Sequence, residues 1–200
     1  MYIIFNNTKM AKYHTDFNKK TILITGGAGF IGSNLAFYFQ ENFPHSKIII
    51  FDCFRSETVF SNGNLESFGH YKNLIGFRGE IICGNINNQN DLALLSDYKF
   101  DYIFHLAAIS DTRVYDQTLV MKTNVNSFYS LLKIAKRDNS ATIYASSAAT
   151  YGSLPSPQIE GFENPENPYG FSKLMMDQIA RNYSLENPNM VIVGLRYFNV

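Results

Sequence analysis

A tyrosine and a lysine four positions apart are the most chemically suggestive pair in this sequence. Tyr169 and Lys173 fall in a segment predicted to be helical, so their side chains share one face. A phenol with a pKa of about 10 is a poor base at neutral pH, and a nearby ammonium group favours the phenolate. Upstream, Ser146 and Ser147 end a predicted strand, and their hydroxyls can bind a substrate oxygen beside the tyrosine. Each feature alone is common in structural roles, as a surface pair or a serine at a turn.

A glycine-rich turn supplies the second signal. Gly26, Gly29 and Gly32 are spaced by three, follow a predicted strand and open a predicted helix. In such a turn the first glycine permits the bend, the second lets backbone approach a pyrophosphate, and the third lets helix pack on strand. The helix N-terminus then offers free N–H groups to the phosphates. Asp52 ends the next predicted strand, 20 positions after Gly32, where an acid accepts both ribose hydroxyls.

The two signals together predict hydride transfer with a bound dinucleotide. Ser147 would orient the substrate, Tyr169 would move a proton, and Lys173 would tune the tyrosine. The choice of dinucleotide stays open, because Asp52 repels a 2′-phosphate whereas Arg55 could pair with one or be an ordinary solvated side chain. We therefore expect one tightly bound NADP or NAD per chain.

Alternating strand and helix patterns must position these residues. Short apolar runs predict buried strands at 21–25, 47–51, 80–86, 102–108, 141–147 and 191–197. Longer stretches with helical spacing predict helices at 30–43, 91–98, 117–137 and 169–183. Strand followed by helix, repeated this often, predicts an α/β fold, a Rossmann-type doubly wound parallel sheet with helices on both faces.

Two segments interrupt this alternation. Residues 56–76 are predicted to form an ordered excursion, and 154–168, which contains four prolines, is predicted to be a loop. The apolar residues expected to pack are Phe30, Ile31, Leu35 and Phe39 on the first helix, Phe60, Leu65, Phe68 and Tyr71 in the excursion, and Leu119, Leu131, Leu132 and Ile134 on the longest helix.

Composition excludes several classes of function. The 200 residues carry 17 basic and 17 acidic side chains, a balance that argues against a nucleic-acid binder. Hydrophobic residues make up 46% and charged residues 17%, which excludes a disordered protein. The two cysteines, Cys53 and Cys83, predict neither a disulfide scaffold nor a metal site. Without a signal peptide or an apolar run of ~20 residues, we expect a cytoplasmic protein with no membrane partner.

Five segments resemble, in the expected order, the extended short-chain dehydrogenase/reductase family: TGGAGFIG, HLAA (His105–Ala108), YASSAATYG, PYGFSK and LRYFNV. The resemblance covers 21–200, and within the family YASSAATYG, FDCFRSETVFSN and RYFNV are most similar to the ADP-heptose 6-epimerases. It implies an isomerase that inverts one carbon of a nucleotide-activated heptose during synthesis of the lipopolysaccharide core precursor, by transient oxidation and re-reduction.

The resemblance also implies further ligand contacts. Phe30 and Ile31 would line the pyrophosphate, and Asp52 and Cys53 would meet the adenosine ribose. The other implied contacts are Asn85 and Ile86 beside the adenine, Leu106, Ala107, Ala108 and Ser110 under the cofactor, Asn124 anchoring the cofactor strand, Val200 near the nicotinamide, and Asn199 on the substrate. Many relatives have aspartate at the position of Asn85, so its adenine contact must use the amide oxygen.

The domain prediction is an N-terminal extension at 1–19 and an NAD(P)-binding domain at 20–200. The family's second acid/base, a lysine, and the sugar-binding C-terminal part would lie beyond Val200. On this expectation the chain is a fragment of a protein that forms a homo-oligomer at full length.

Three other functions are weighed against the heptose epimerase. A nucleotide-sugar 4-epimerase shares nearly every motif and is the main alternative. A 4,6-dehydratase should carry an Asp-Glu pair after the serine, where this chain has Ala148 and Ala149. A catalytically silent NAD(P)-binding module is opposed by the Ser147, Tyr169 and Lys173 set and favoured by the expected loss of the C-terminal part.

Overall fold

Six parallel strands form a single sheet in this computed structural model, which describes residues 15–198. The strands are β1 (Thr21–Thr25), β2 (Lys47–Asp52), β3 (Glu80–Cys83), β4 (Tyr102–His105), β5 (Ala141–Ser147) and β6 (Ile192–Tyr197). Their order is β3-β2-β1-β4-β5-β6, and every neighbouring pair is parallel. The order reverses between β1 and β4, where such sheets form a ligand crevice outside the carboxyl ends of the strands. The predicted doubly wound α/β fold is confirmed.

The helices are α1 (Phe30–Asn42), α2 (Gln89–Ala93), α3 (Gln117–Val120), α4 (Ser127–Asp138) and α5 (Pro168–Glu186). The helix predicted at 117–137 is therefore interrupted, because a wider π-helical turn at Met121–Asn126 joins α3 to α4. The helix predicted at 91–98 instead starts at Gln89, since the side chain of Asn88 caps it, and ends at Ala93. The third and fourth strands end earlier than predicted, at Cys83 and His105. The next N–H groups, of Gly84 and Leu106, still bond to the neighbouring strands before the chain leaves the sheet.

The core lies on both faces of the sheet, which explains why β1 and β2 are continuously apolar. On one face Leu23 and Ile49 pack with Leu131 of α4. On the other face Ile24 and Ile50 pack against α1. A third cluster joins α4, β5 and α5 around Phe128, Tyr144 and Met176. Within residues 15–198 no helix is long and apolar enough to cross a membrane.

The excursion between β2 and β3 is ordered, and both hydrogen bonds and the buried side chains of Phe60 and Leu74 hold it. Phe60 is buried, whereas Phe68 and Tyr71 are 55% and 65% exposed, so their predicted packing role is wrong. His70 donates its backbone N–H, and Asn73 its side-chain amide, to the carbonyl of Ala28 in the glycine turn. The excursion therefore lies against the turn that is predicted to bind the dinucleotide.

Candidate active site

Two of the three glycines in the turn lie against other backbone atoms, and the third is less crowded. Gly26 has φ +70°, and a Cβ there would lie 2.7 Å from the backbone nitrogen of Ala107. A Cβ on Gly32 would lie 2.3 Å from the carbonyl oxygen of Gly26. Gly29 is less crowded, because its Cβ would meet only that same oxygen, at 3.2 Å. Gly26 and Gly32 therefore build the turn, and Gly29 leaves its outer side open.

The N-terminus of α1 is uncapped and fits a pyrophosphate. Gly29 occupies the cap position without a side chain to accept the first N–H groups, and the first turn carries no acidic residue. Phe30, predicted to pack inward, is 69% exposed because it is the first residue of the helix. The N–H groups of Phe30, Ile31 and Gly32 therefore form the positive end of the helix, where an anionic ligand is stabilised.

Asp52 lies at the carboxyl end of β2, as predicted, and is nearly buried. Its carboxylate accepts backbone N–H groups from Ala28 at 2.9 Å and Phe54 at 2.8 Å. Burial raises the pKa of this carboxyl group, while the two hydrogen bonds act in the opposite direction. Because each carboxylate oxygen accepts more than one hydrogen bond, acceptor positions remain for ribose hydroxyls.

The other residues expected around the adenosine have mixed environments. Cys53, Arg55 and Asn85 are exposed, whereas Ile86 is buried in the core. The amide oxygen of Asn85 accepts the backbone N–H of Asn87 at 2.9 Å, so only its second lone pair is left for an adenine contact. Cys83 is also exposed, at the end of β3. No group of three or more His, Cys, Asp or Glu side chains between 15 and 198 could hold a metal ion.

The segment after β4 crosses the crevice between the two halves of the sheet. Leu106 donates its N–H to the carbonyl of Thr25, next to the glycine turn. Asn124 holds the far end, because its buried amide accepts the N–H of Ile109 at 2.8 Å and donates to the carbonyl of Ile109 at 3.0 Å. Its amide also donates to the hydroxyl of Ser172 at 2.9 Å. These contacts fit the anchoring role predicted for Asn124. The side of the segment that would face the cofactor is then formed by Leu106, Ala107, Ala108 and the exposed Ser110.

Ser147, Tyr169 and Lys173 meet at the carboxyl end of β5. The Ser147 hydroxyl accepts the N–H of Ala149 at 3.1 Å, and the side chain lies near enough to Tyr169 to lower the pKa of its phenol. The Nζ of Lys173 is 5.8 Å from the centre of the Tyr169 ring and donates to the carbonyl oxygen of Ala145 at 2.8 Å. Asn167 caps α5 by accepting the N–H of Gly170, which starts the helix just before Tyr169.

Burial dominates the electrostatics of this group. It raises the pKa of Tyr169 above its usual value, and the neighbouring Ser147 side chain only partly opposes that change. It also lowers the pKa of Lys173 to about 8. The expected phenolate is therefore not favoured in the protein alone, because desolvation outweighs the lowering effect of Ser147.

His105, although part of the HLAA segment, was given no role from the sequence, and neither was a partly buried group of ionic and polar residues. His105 is buried beside Lys173, where desolvation lowers its pKa to about 3. Its Nδ1 lies 2.8 Å from the hydroxyl of Thr25. The ionic group consists of Tyr144, Glu163, Asp177 and Arg196. Asp177 could have been found from its position one helical turn after Lys173, on the same face.

Residues 22–200 match the family described as the NAD dependent epimerase/dehydratase family. The chain belongs to this family. The resemblance to the extended short-chain dehydrogenases/reductases is therefore confirmed. Two predicted contacts, Asn199 and Val200, lie outside the described residues.

Solved structures of epimerases are similar to this chain over nearly all of its length. ADP-L-glycero-D-manno-heptose-6-epimerase from Helicobacter pylori is 51% identical, with a TM-score of 0.85 over 95% of this chain and 58% of that one. UDP-glucose 4-epimerase from Brucella ovis, in complex with NAD, is 30% identical, with a TM-score of 0.73 over 90% and 52%. UDP-glucuronic acid 4-epimerase from Bacillus cereus, in complex with UDP-glucuronic acid and NAD, is 29% identical, with a TM-score of 0.74 over 90% and 56%. The chain thus spans a little over half the length of these relatives.

Proposed function

We propose that the chain is the dinucleotide-binding and proton-transferring part of an ADP-heptose 6-epimerase that uses NAD or NADP. The observation that carries the proposal is the position of Ser147, Tyr169 and Lys173, which meet at the same edge of the sheet as the open glycine turn. The choice of substrate is supported by the 51% identity to the heptose epimerase from Helicobacter pylori.

Inversion of a carbinol carbon sets the chemical demands on this site. The hydrogen leaves the carbon as hydride and returns to the opposite face, so the substrate passes through a ketone that must turn over between the two transfers. The bound dinucleotide supplies the hydride acceptor and donor, and the reaction has no net redox change. The chain must therefore hold the dinucleotide, orient the substrate oxygen, and move one proton each way.

The dinucleotide would be held by atoms on β1, α1 and β2. The N–H groups of Phe30 and Ile31 would bind the pyrophosphate, and Asp52 the ribose hydroxyls. Cys53, Asn85 and Ile86 would surround the adenosine, and the segment 106–110 would lie under the cofactor. In the same proposal Val200 contacts the nicotinamide end and Asn199 the substrate.

The proton would move through the phenol oxygen of Tyr169. In one half-reaction this oxygen accepts the proton of the substrate hydroxyl or returns a proton to the ketone oxygen, and the second acid/base that the family resemblance implies would serve the other half-reaction. The Ser147 hydroxyl donates a hydrogen bond to the substrate oxygen and keeps it beside the phenol. Lys173 favours the phenolate through its charge, and its hydrogen bond to Ala145 keeps the ammonium group in place.

The proposal extends to the protein's surroundings and partners. We place it in the cytoplasm, where nucleotide sugars are its substrates and nucleic acids and membranes are not its partners. Residues 20–200 form the dinucleotide-binding domain, preceded by an extension at 1–19, and the natural protein forms a homo-oligomer as the family resemblance implies.

The alternative is a nucleotide-sugar 4-epimerase, which the 30% identity to the Brucella ovis UDP-glucose 4-epimerase supports. The complete natural gene product should be incubated separately with ADP-heptose, UDP-glucose and UDP-galactose, and the epimers separated by chromatography. We expect turnover of ADP-heptose alone. Turnover of the UDP-sugars would favour the alternative, and retention of NAD or NADP without any turnover would favour a silent binding module.

A further inference from the structure

Arg196, near the end of β6, is the centre of a partly buried ionic network behind the proposed site. Its Nε and Nη2 donate to one carboxylate oxygen of Asp177, at 3.1 and 2.9 Å. Nη2 also donates to Glu163 at 2.5 Å. The guanidinium carbon lies 4.6 Å from the centre of the Tyr151 ring, a cation–π distance. The side chains of Arg196, Glu163 and Asp177 are only 15%, 7% and 7% exposed.

The three partners of Arg196 come from the three segments that carry the proposed catalytic residues. Tyr151 ends the 3₁₀ turn Ala148–Tyr151, which directly follows Ser147. Glu163 lies in the loop that leads into α5 and Tyr169. Asp177 is on α5, one turn beyond Lys173. A single side chain therefore connects the serine, the tyrosine and the lysine segments.

A second feature fixes the same network from β5. The hydroxyl of Tyr144 donates to the other carboxylate oxygen of Asp177, at 2.8 Å. Tyr144 pairs in register with Gly194 on β6, and a Cβ at Gly194 would lie 2.5 Å from that hydroxyl. Only glycine at position 194 leaves room for the Tyr144 hydroxyl to reach Asp177. Tyr144 of β5 therefore holds one carboxylate oxygen of Asp177, and Arg196 of β6 holds the other.

The network is poorly suited to a role in stability alone. A buried ion pair is on average no more stabilising than a well-packed apolar group, because desolvation offsets the attraction between the charges. The Arg196 network does supply a fixed hydrogen-bond geometry, which an apolar cluster could not supply. The planar guanidinium group is also the one basic side chain that can face Asp177, Glu163 and an aromatic ring together.

We propose that Arg196 is a positioning residue that holds Ser147, Tyr169 and Lys173 in register through Tyr151, Glu163 and Asp177. The inference rests on the proposed function, because it gives these three residues their roles. A displacement of about 1 Å at a reacting group can cost on the order of 10²-fold in rate. Loosening the network should therefore reduce turnover more than it reduces binding.

The experiment compares Arg196→Lys with Arg181→Gln in the complete natural gene product. Lysine keeps the charge of Arg196 but loses the planar fork. Arg181 is the matched control, because it also joins α5 to the segment 154–168, through an exposed ion pair with Glu160. We expect Arg196→Lys to lower kcat by about 10- to 100-fold, with the dinucleotide Kd and the substrate KM changed by less than about threefold. Arg181→Gln should change none of these values.

A double-variant comparison separates positioning from general loosening. If Arg196 acts through Tyr169, adding Arg196→Lys to Tyr169→Phe should cost less than about threefold more in kcat. An equal loss in both backgrounds would overturn the proposal, as would a kcat within about twofold of wild type in folded Arg196→Lys. If Arg196→Lys does not fold, Tyr144→Phe provides the test instead. It removes one hydroxyl and keeps the ring, and it should lower kcat by a smaller factor.

A spectroscopic readout keeps this proposal distinct from the proposed function. In protein with ¹³C-labelled tyrosine rings, the Tyr169 Cζ signal, assigned from its absence in Tyr169→Phe, should shift in Arg196→Lys and Tyr144→Phe but not in Arg181→Gln. That shift without turnover of any nucleotide sugar would refute the proposed function and leave the positioning role standing. An unchanged signal in both network variants would refute the positioning role, whatever the enzyme turns over.

Discussion

At the β1–α1 turn the site is made of backbone atoms, whereas between β5 and α5 it is made of buried side chains. The first region presents N–H groups of an uncapped helix, and its glycines are needed because an added Cβ would contact backbone at 2.3 Å at Gly32 and 2.7 Å at Gly26. The second region depends on Lys173, Asp177 and Arg196, whose polar atoms, apart from Nη1 of Arg196, are held by other side chains or carbonyls.

The difference predicts opposite sensitivities in the two regions. A site built from backbone is damaged by added atoms, which block close approach or push elements apart. A site built from side chains is damaged by removed atoms, because a missing hydroxyl or charge takes a function away while the shape stays the same. Variants that add or remove a single group can therefore test the comparison directly.

The largest effect is expected when one oxygen is removed from the side-chain region. Tyr169→Phe keeps the ring, so folding and dinucleotide retention should survive. General acid–base catalysis is worth about 10²- to 10⁴-fold, and kcat for epimerisation should fall by that amount. The loss should appear mainly in kcat, because the proton moves only during the chemical step.

Steady-state kinetics on the complete natural gene product, with bound dinucleotide measured after denaturation, would check this prediction. Epimerisation at a rate near wild type would remove Tyr169 from the mechanism. If Tyr169→Phe lost the dinucleotide along with the activity, the side-chain region would also be needed to bind the dinucleotide. The contrast between the two regions would then fail.

The backbone region could be predicted almost entirely from sequence, because its rules are local. Three glycines at a fixed spacing, between a strand and a helix, specify the turn, which the structure has between β1 and α1. Asp52 could also be placed, since the carboxyl ends of adjacent parallel strands meet at one edge. The sheet itself follows from the alternation of apolar runs.

The side-chain region could be predicted only in part, because its contacts join distant segments. The Tyr169 and Lys173 pair is visible at helical spacing, but the link from Arg196 to Glu163 and Asp177 spans 33 and 19 positions. The electrostatic balance was also hidden, since burial decides the direction of the Tyr169 pKa. Phe68 and Tyr71 show the same limit, because apolar residues of an excursion pack only if the fold brings them a partner.

The next largest effect is expected when one methyl group is added to the backbone region. In Gly32→Ala the new Cβ would lie 2.3 Å from the Gly26 oxygen and 2.7 Å from the Cα of Gly27. Overpacking costs about 1–3 kcal/mol, and better helix propensity returns at most about 1 kcal/mol, so the free energy of unfolding should fall by about 1–2 kcal/mol.

Gly29→Ala is the matched control, because its Cβ would meet only one atom, at 3.2 Å. Its free energy of unfolding should fall by no more than about 1 kcal/mol, which is the cost of replacing glycine with the less favourable alanine at a helix N-cap. Dinucleotide affinity should still fall, because the methyl group would occupy the side that a phosphate approaches. Urea unfolding and dinucleotide titration would separate the two effects, and equal stability losses would contradict the assignment of Gly32 to packing.

The smallest effect is expected from the one charged side chain that the backbone region offers to a 2′-phosphate. Arg55 is exposed, and its backbone N–H donates to the carbonyl of Gly69. An exposed charge pair contributes at most about 1 kcal/mol, so Arg55→Ala should weaken NADP by no more than about fivefold and leave NAD unchanged. The NADP effect should shrink at high salt, because exposed charges are screened. Titrations of both dinucleotides, with Lys72→Ala as an exposed-cation control on the same excursion, would test this. Equal losses for NAD and NADP would assign Arg55 a structural role, and the preference would then depend on Asp52, whose charge next to the ribose favours NAD.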